Sequence, residues 1–515
     1  MKVSALFYFF ASLLVFPPKP QARAQDAAST PAISVELKHD LSPALRDMSP
    51  RNEHTPLEDA EQESERAGRR RAIAPPPVVD QALQSFASIP AQLTPGLSFD
   101  GVGYSGWLVG DPNLAVGATQ VVQWVNTKFA VYNKQNGALQ YGPTDGNTLW
   151  SGFGGPCENK NSGDPIVQYD KAAGRWVMLQ HATPTGGPYL ICLAVSTSSN
   201  ATGSFHRYAF SLSSQFPDYP KLGVWRDGYY ISFDQVSGST TITFACALNR
   251  AAMLNGSTAG SVCFQLNSKY THLLPSDIDG LIAPPLGEPD YFINFGTNSL
   301  NLWKFHVDFA SPGNSIFSGP INLPVAGFAE ACGGGVCVPQ FGTTDKLDSV
   351  ADRLMYRLAY RHFKNGQESF VVAHAVGTPA SVRWYEIRRP NAPFVYQQGT
   401  YSPNSNFRWM PSIAMDHVGD IAVGYSLSSS SMHPAIAYTG RLWTDSLGTM
   451  QAETVAFTGG GSELPGNSRW DDYTALSVDP QDDCTFWYTN QYYKTNSVTN
   501  WSTRILSFRF PSCAP

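Results

Sequence analysis

From Asp111 onward the chain repeats itself seven times, and a long-period repeat rich in turns leaves few architectures open. The clearest copies read "DPNLAVGATQVVQWVN" from Asp111, "DPIVQYDKAAGRWVMLQHA" from Asp164 and "DYPKLGVWRDGYYISFD" from Asp218. Weaker copies open at Asp277, Asp348, Arg408 and Asp471. Each begins with a polar, usually acidic residue, runs a short apolar strand into a turn, and starts a second, aromatic-rich strand. Two further strands follow, as in "YLICLAVSTS" and "SFHRYAFSL" after Asp164, which completes a four-stranded antiparallel unit. Successive starts lie 53 to 71 residues apart, a little more than a minimal propeller blade and its loops need. The pattern predicts an all-β fold over residues 91–515: a seven-bladed β-propeller, with six blades as the other count. After "TRILSFRF" the last unit has no fourth strand of its own. An N-terminal strand near residues 97–108 is therefore expected to close the ring, since a bare sheet edge invites aggregation.

Composition agrees. Charged residues make up 15% of the chain, against roughly 25% in an average globular protein, while 44 Gly, 38 Pro and 12% aromatics suit many turns and half-buried strands. A net charge of -6 argues against nucleic acid and anionic membranes as partners, because both require clustered Lys and Arg.

Lys2 followed by an apolar run over 6–16 and the small-residue site Ala22-Arg23-Ala24 reads as a signal peptide, residues 1–24, cut near Gln25. That run is too short to span a bilayer. A secreted monomer, extracellular or periplasmic, is expected. Residues 25–90, with "EDAEQESERAGRRR" and "AIAPPPVV", carry no strand alternation and read as a disordered, charged leader or pro-segment. Arg69-Arg70-Arg71 is either a protease-sensitive step in it or a solvated charge run.

All eight cysteines follow the leader, and an even count in an exported chain suits disulfides. The local pairs Cys332 with Cys337 and Cys484 with Cys513 are the ones the spacing favours; sequence-neighbour pairing is the simplest rule for the rest. Zinc is disfavoured by the lack of a CxxC and of a nearby His pair. No metal and no cofactor is assigned.

Free-standing catalytic signatures are missing: there is no GxSxG, HExxH, P-loop or EF-hand pattern, and the GxGxxG at 101–106 is not followed by a helix. What remains is the residue opening each inner strand. In a propeller these residues converge on one face of the disc, where two carboxylates could serve as acid and base on a glycosidic bond. On that reading Asp218 and Asp471 are the candidate catalytic pair. Lys221 and Arg408 are candidates to orient a carboxylate or hydroxyls, with Tyr219, Trp409 and Trp470 beside them as stacking surfaces. Arg353, Arg357 and Arg469 are further cations for an anionic sugar. The competing role for the acids is structural, because Asp before a turn or a proline caps backbone N–H groups and recurs wherever the turn recurs. His181, His306, His374 and His417 are scattered and read as lone side chains.

Through "DPNLAVGATQVVQWVNTKFAVYNKQNG", "FPDYPKLGVW", "FGTNSLNLWKFHVD" and "DDCTFWYTN", the region from about Leu97 to Cys513 resembles a group of exported bacterial proteins of broadly sialidase-like propeller architecture. The resemblance implies a propeller and carries over no catalytic residue; the regular SxDxGxxW turns of sialidases are missing. The functional expectation is binding of, or action on, an extracellular polysaccharide or other glycan through the channel face, as a glycoside hydrolase or polysaccharide lyase if it is an enzyme. The alternative is a non-catalytic extracellular or cell-surface interaction module.

Overall fold

The computed structural model describes residues 30–52, 78–238, 240–464 and 468–514. Strands dominate them. The helices are single turns, of which Pro156–Asn159 and Arg250–Leu254 are α-helical.

Seven four-stranded antiparallel units follow one another along the chain. Their first strands are Asn113–Val116, Ile166–Asp170, Phe216–Val224, Leu274–Asp279, Met355–His362, Phe407–Met415 and Ala475–Val478. Each first strand adjoins that of the next unit, and the last adjoins the first. Between the fourth and fifth units this contact becomes a parallel ladder, Ser276 opposite Leu358 to Asp279 opposite Arg361. The seventh unit contributes only three strands of its own. Its fourth is Thr94–Asp100, antiparallel to Trp501–Arg509 with Ile505 opposite Phe99, slightly earlier in the chain than the expected 97–108.

Both faces of each sheet are covered by neighbouring sheets. Strands such as Leu190–Ser196 and Phe486–Tyr493 are accordingly buried at every position, and the period-two alternation of a half-exposed strand is lost. Aromatic side chains fill the spaces between units: Tyr438 of the sixth stacks on Phe508 of the seventh with centroids 3.9 Å apart. All four sequence-neighbour disulfides are present, Cys157–Cys192, Cys246–Cys263, Cys332–Cys337 and Cys484–Cys513. The last of these ties the chain's C-terminal end to the turn before strand Phe486–Tyr493.

The leader is a correction to the sequence reading. Residues 30–52 run along the outer edges of three units: Ala32–Val35 pairs with the third, Lys38–Leu41 with the second, and Arg51 reaches the first. Residues 78–93 do the same on the other side, where Leu83–Gln84 pairs with the fifth unit and Gln84 and Gln92 bond the sixth. The alternating Ile33, Val35 and Leu37 do not reveal it, because these strands are held by main-chain pairing and ion pairs rather than by a core of their own, and those side chains are exposed. Arg207, 2% exposed, takes Asp40 in a two-pronged pair at 2.8 and 2.6 Å, and Arg383 takes Asp80 at 2.6 Å. The expected signal peptide and the Arg69-Arg70-Arg71 step lie outside the described residues. Among the described residues no helix is long and apolar enough to cross a membrane.

Candidate functional site

The unit starts share a backbone state that the acid-based alignment misses. Asp111, Asp164, Tyr219 and Met410 all lie in the left-handed region, with φ of 42°, 48°, 52° and 53°, and each precedes a proline. In the third and sixth units the residues equivalent to Asp111 are thus Tyr219 and Met410, not Asp218 and Arg408. The fifth unit places Val350 in the same state, at φ 44°. A β-carbon there costs about 1–2 kcal/mol per residue, so several strained positions cluster on one face.

The acids hold this geometry together across unit boundaries. Asp471 Oδ1 accepts the Gly110 and Asp111 N–H groups at 3.0 and 3.1 Å. Asp111 returns the contact by accepting the Asp472 N–H at 2.6 Å, while its other oxygen takes Asn126 at 3.0 Å. Asp164 accepts the Tyr219 N–H at 3.1 Å. Burial, reinforced by neighbouring carboxylates, pushes Asp111 and Asp471 well above the usual carboxylate range. Within the first and seventh units, then, the repeated acid is a cap that stitches one inner strand to the next.

Asp277 has yet another role. It lies inside its strand and pairs with Arg357 of the next unit at 3.1 Å. Arg357 also bonds Asp279, which in turn takes Lys171 at 3.2 Å. Alongside, the Tyr356 hydroxyl donates to Leu222 O at 3.1 Å and receives Gln168, and Ser412 donates to Tyr356 O at 3.0 Å. These side chains fill the space between the inner strands behind its mouth, the end at which those strands begin.

At that mouth Lys221 is completely buried. Its Nζ sits 3.4 Å from the centroid of the Tyr219 ring and 4.1 Å from that of Tyr473, and donates to Pro220 O at 3.0 Å. Among the described residues no carboxylate oxygen lies within ion-pairing distance of it, and burial depresses its pKa to about 8. The Arg353 guanidinium lies 4.5 Å from the Tyr219 centroid and pairs with the exposed Asp352 at 2.8 Å. His272 meets the Tyr219 ring edge-on at 5.5 Å and faces Asp234 at 3.4 Å; burial, then Arg353, lowers its pKa. Asp218, half-buried and opposite Asp234 in the strand ladder, accepts the Tyr219 N–H at 2.9 Å. The Tyr219 hydroxyl is buried beside the Arg353 guanidinium.

Three of the expected binding residues lie elsewhere. Arg408 is fully enclosed, doubly paired to Glu453 at 2.8 and 2.6 Å and bonded to Asn404 and to Asn406 O. Trp409 and Trp470 pack on each other at 5.5 Å in the core, with Trp470 Nε1 donating to Ser426. None of the three presents a surface to a ligand. Tyr219 does reach the mouth, but Lys221 and Arg353 lie against its ring, where a sugar was expected to stack. Sequence reasoning missed His272 and Tyr473. Tyr473 follows the acidic pair that opens its unit, and His272, at φ 55°, is the left-handed residue just before strand Leu274–Asp279. The one cluster of three His, Cys, Asp or Glu ligand atoms among the described residues, His417 with Cys484 and Cys513, has both sulfurs committed to a disulfide.

No protein-family model and no curated protein sequence matches the chain. Among solved structures it is similar to an ulvan lyase of a polysaccharide lyase family, at 12% identity and TM-score 0.39, over 79% of this chain and 98% of that one. It is similar also to extracellular domains 1–2 of Drosophila Semaphorin 1b, at 8% identity and TM-score 0.36 over 82% and 88% of the two chains. A third is an endo-1,5-α-L-arabinanase of Thermotoga petrophila, at 11% identity and TM-score 0.28 over 79% and 99%. Likeness at this level leaves function to be argued from the site.

Proposed function

We propose that the seven units are the blades of a β-propeller closed by strand Thr94–Asp100, and that this exported protein binds an extracellular glycan at the mouth of its channel. The observation carrying the reading is the buried Lys221 ammonium. A charge withdrawn from water without an ion-pair partner lowers stability, and groups perturbed in this way concentrate at functional sites. Arg353 and His272 lie against the same Tyr219 ring as Lys221, and Asp218 accepts the Tyr219 N–H; the three come from different units and supply a cation, an imidazole and a carboxylate to a ligand resting on the mouth. Carboxylate or hydroxyl groups of a sugar fit that set.

Binding without turnover is the second reading, favoured by Asp471. Its best-placed oxygen already caps two backbone N–H groups, so the proposed pairing of Asp218 with Asp471 as acid and base loses one partner to the scaffold. The test is a polysaccharide panel assayed for both binding and release of reducing or unsaturated ends. Wild-type protein is expected to bind at least one acidic polysaccharide and Arg353→Gln to bind it at least tenfold more weakly. Binding without released ends selects the module over the enzyme, and no binding to any member overturns the proposal.

A further inference from the structure

A second polar cluster lies between the seventh unit and the loop that leads into the first, made of Asp471, Gln491, Glu463 and the backbone of Gly110. Gln491 is fully buried, and neither its Oε1 nor its Nε2 has a hydrogen-bond partner. Asp471 Oδ2 and Glu463 Oε1 are likewise buried and unpartnered, although the second oxygen of each carboxylate is engaged, Asp471 Oδ1 by two N–H groups and Glu463 Oε2 by the Tyr493 hydroxyl at 3.4 Å. Buried polar atoms in native proteins are satisfied in the great majority of cases, so a cluster of this kind calls for an occupant.

The atoms converge. A methyl group placed on Gly110 would lie 2.5 Å from Gln491 Oε1, 2.9 Å from Asp471 Oδ1 and 3.4 Å from the Trp501 ring. Gly110 thus forms a wall that only a residue without a side chain can supply. Gln491 and Tyr493 are two apart on strand Phe486–Tyr493 and point to the same face, so the Tyr493 contact brings Glu463 to the side on which Gln491 stands. Burial pushes Glu463 up to about 9, and Asp471 adds to the shift. Arg469, which donates to Asp472 at 3.1 Å, attracts both carboxylates and partly offsets their shifts.

We propose that this cluster is a binding site for a hard divalent cation of the calcium type, held by Asp471 Oδ2, Glu463 Oε1 and Gln491 Oε1, with water completing the shell. Two carboxylates and an amide carbonyl form an oxygen-only donor set with two negative charges, which suits calcium and lacks the nitrogen or sulfur that zinc selects. The ion would join the loop carrying Gly110 and the unit starts at Asp111 and Asp471, where the two ends of the ring meet. This site does not depend on glycan binding at the mouth.

The experiment uses the mature full chain, freed of metal with a chelator, and two probes, CaCl2 and TbCl3. Trp501 and Tyr493 border the cluster, so bound Tb3+ is expected to emit on excitation of the protein's aromatic residues, and added Ca2+ to quench that emission by displacement. CaCl2 is expected to raise the unfolding temperature saturably. Glu463→Gln and Gln491→Met are expected to lose both responses, while their unfolding temperatures without metal confirm that they fold. Absence of both responses in the wild type means that the cluster holds water alone and overturns the proposal. Retention of both by either variant places the ion elsewhere and overturns it equally.

Discussion

Replacing Lys221 with Met removes a charge and keeps nearly the whole side-chain shape. The depression of its pKa from 10.5 to about 8 corresponds to about 3 kcal/mol of unfavourable folding energy at neutral pH, at 1.36 kcal/mol per pH unit. Against this stand the contacts with the Tyr219 and Tyr473 rings at 3.4 and 4.1 Å, together about 1–2 kcal/mol in a desolvated site. The variant is therefore expected to be more stable than the wild type by about 1–2 kcal/mol at pH 7. The pH dependence follows from linkage. Because the folded-state pKa lies below the unfolded one, the penalty is fully present below about pH 8 and disappears as pH rises toward 10.5, where the unfolded chain releases its proton as well. Urea titrations of both proteins at pH 7 and pH 10 read this directly, the advantage of Lys221→Met shrinking at the higher pH. A variant less stable than the wild type at pH 7, or an advantage that does not change with pH, refutes the reasoning.

Asp471→Ala leaves the Gly110 and Asp111 N–H groups without acceptors and is expected to cost about 2–4 kcal/mol in chelator-treated protein, whereas Asp471→Asn keeps an oxygen to accept both N–H groups and should cost under about 1 kcal/mol; denaturant midpoints compare them. Deleting residues up to Asn52 strips Asp40 from the buried Arg207 and should destabilise by about 3–5 kcal/mol, so a truncated protein as stable as one beginning at Thr30 would show the edge strands to be dispensable. Removing residues up to Asp100 takes the outer strand of the seventh unit as well and is expected to abolish soluble folded protein, read by expression and circular dichroism. Arg408→Met breaks a fully enclosed pair with Glu453 and should lower stability by about 3 kcal/mol without altering the affinity for any glycan that binds, measured by titration calorimetry.

The all-β character was legible because composition and strand-turn spacing both report it. Of the seven residues expected to open the units, Asp111, Asp164 and Asp471 sit in the loops leading into their strands and Asp348 in the short strand Leu347–Asp348 ahead of its unit, whereas Asp218, Asp277 and Arg408 lie within their strands. What misled the alignment was taking the acid as the conserved chemistry of the turn. The turn is instead specified by a left-handed residue, four times followed by proline, a state open to Asp, Tyr or Met once neighbouring units hold it in place. Tyr219 and Lys221 could be found because they lie next to that turn; His272 could not, since its unit lacks both the acid and the proline. Arg408, Trp409 and Trp470 looked like a ligand platform because sequence cannot say which side of a strand faces the channel and which faces the next sheet. The edge strands over 32–41 were illegible for a related reason, since their stability resides in partners found more than a hundred residues away.

The central claim, that a glycan binds above the buried ammonium, is tested most directly by titrating the acidic polysaccharide selected from the panel into wild-type protein and Lys221→Met under identical conditions at pH 7. The account predicts saturable binding to the wild type and at least a tenfold loss of affinity in the variant, although the variant is the more stable protein. Equal affinity in the two would contradict it.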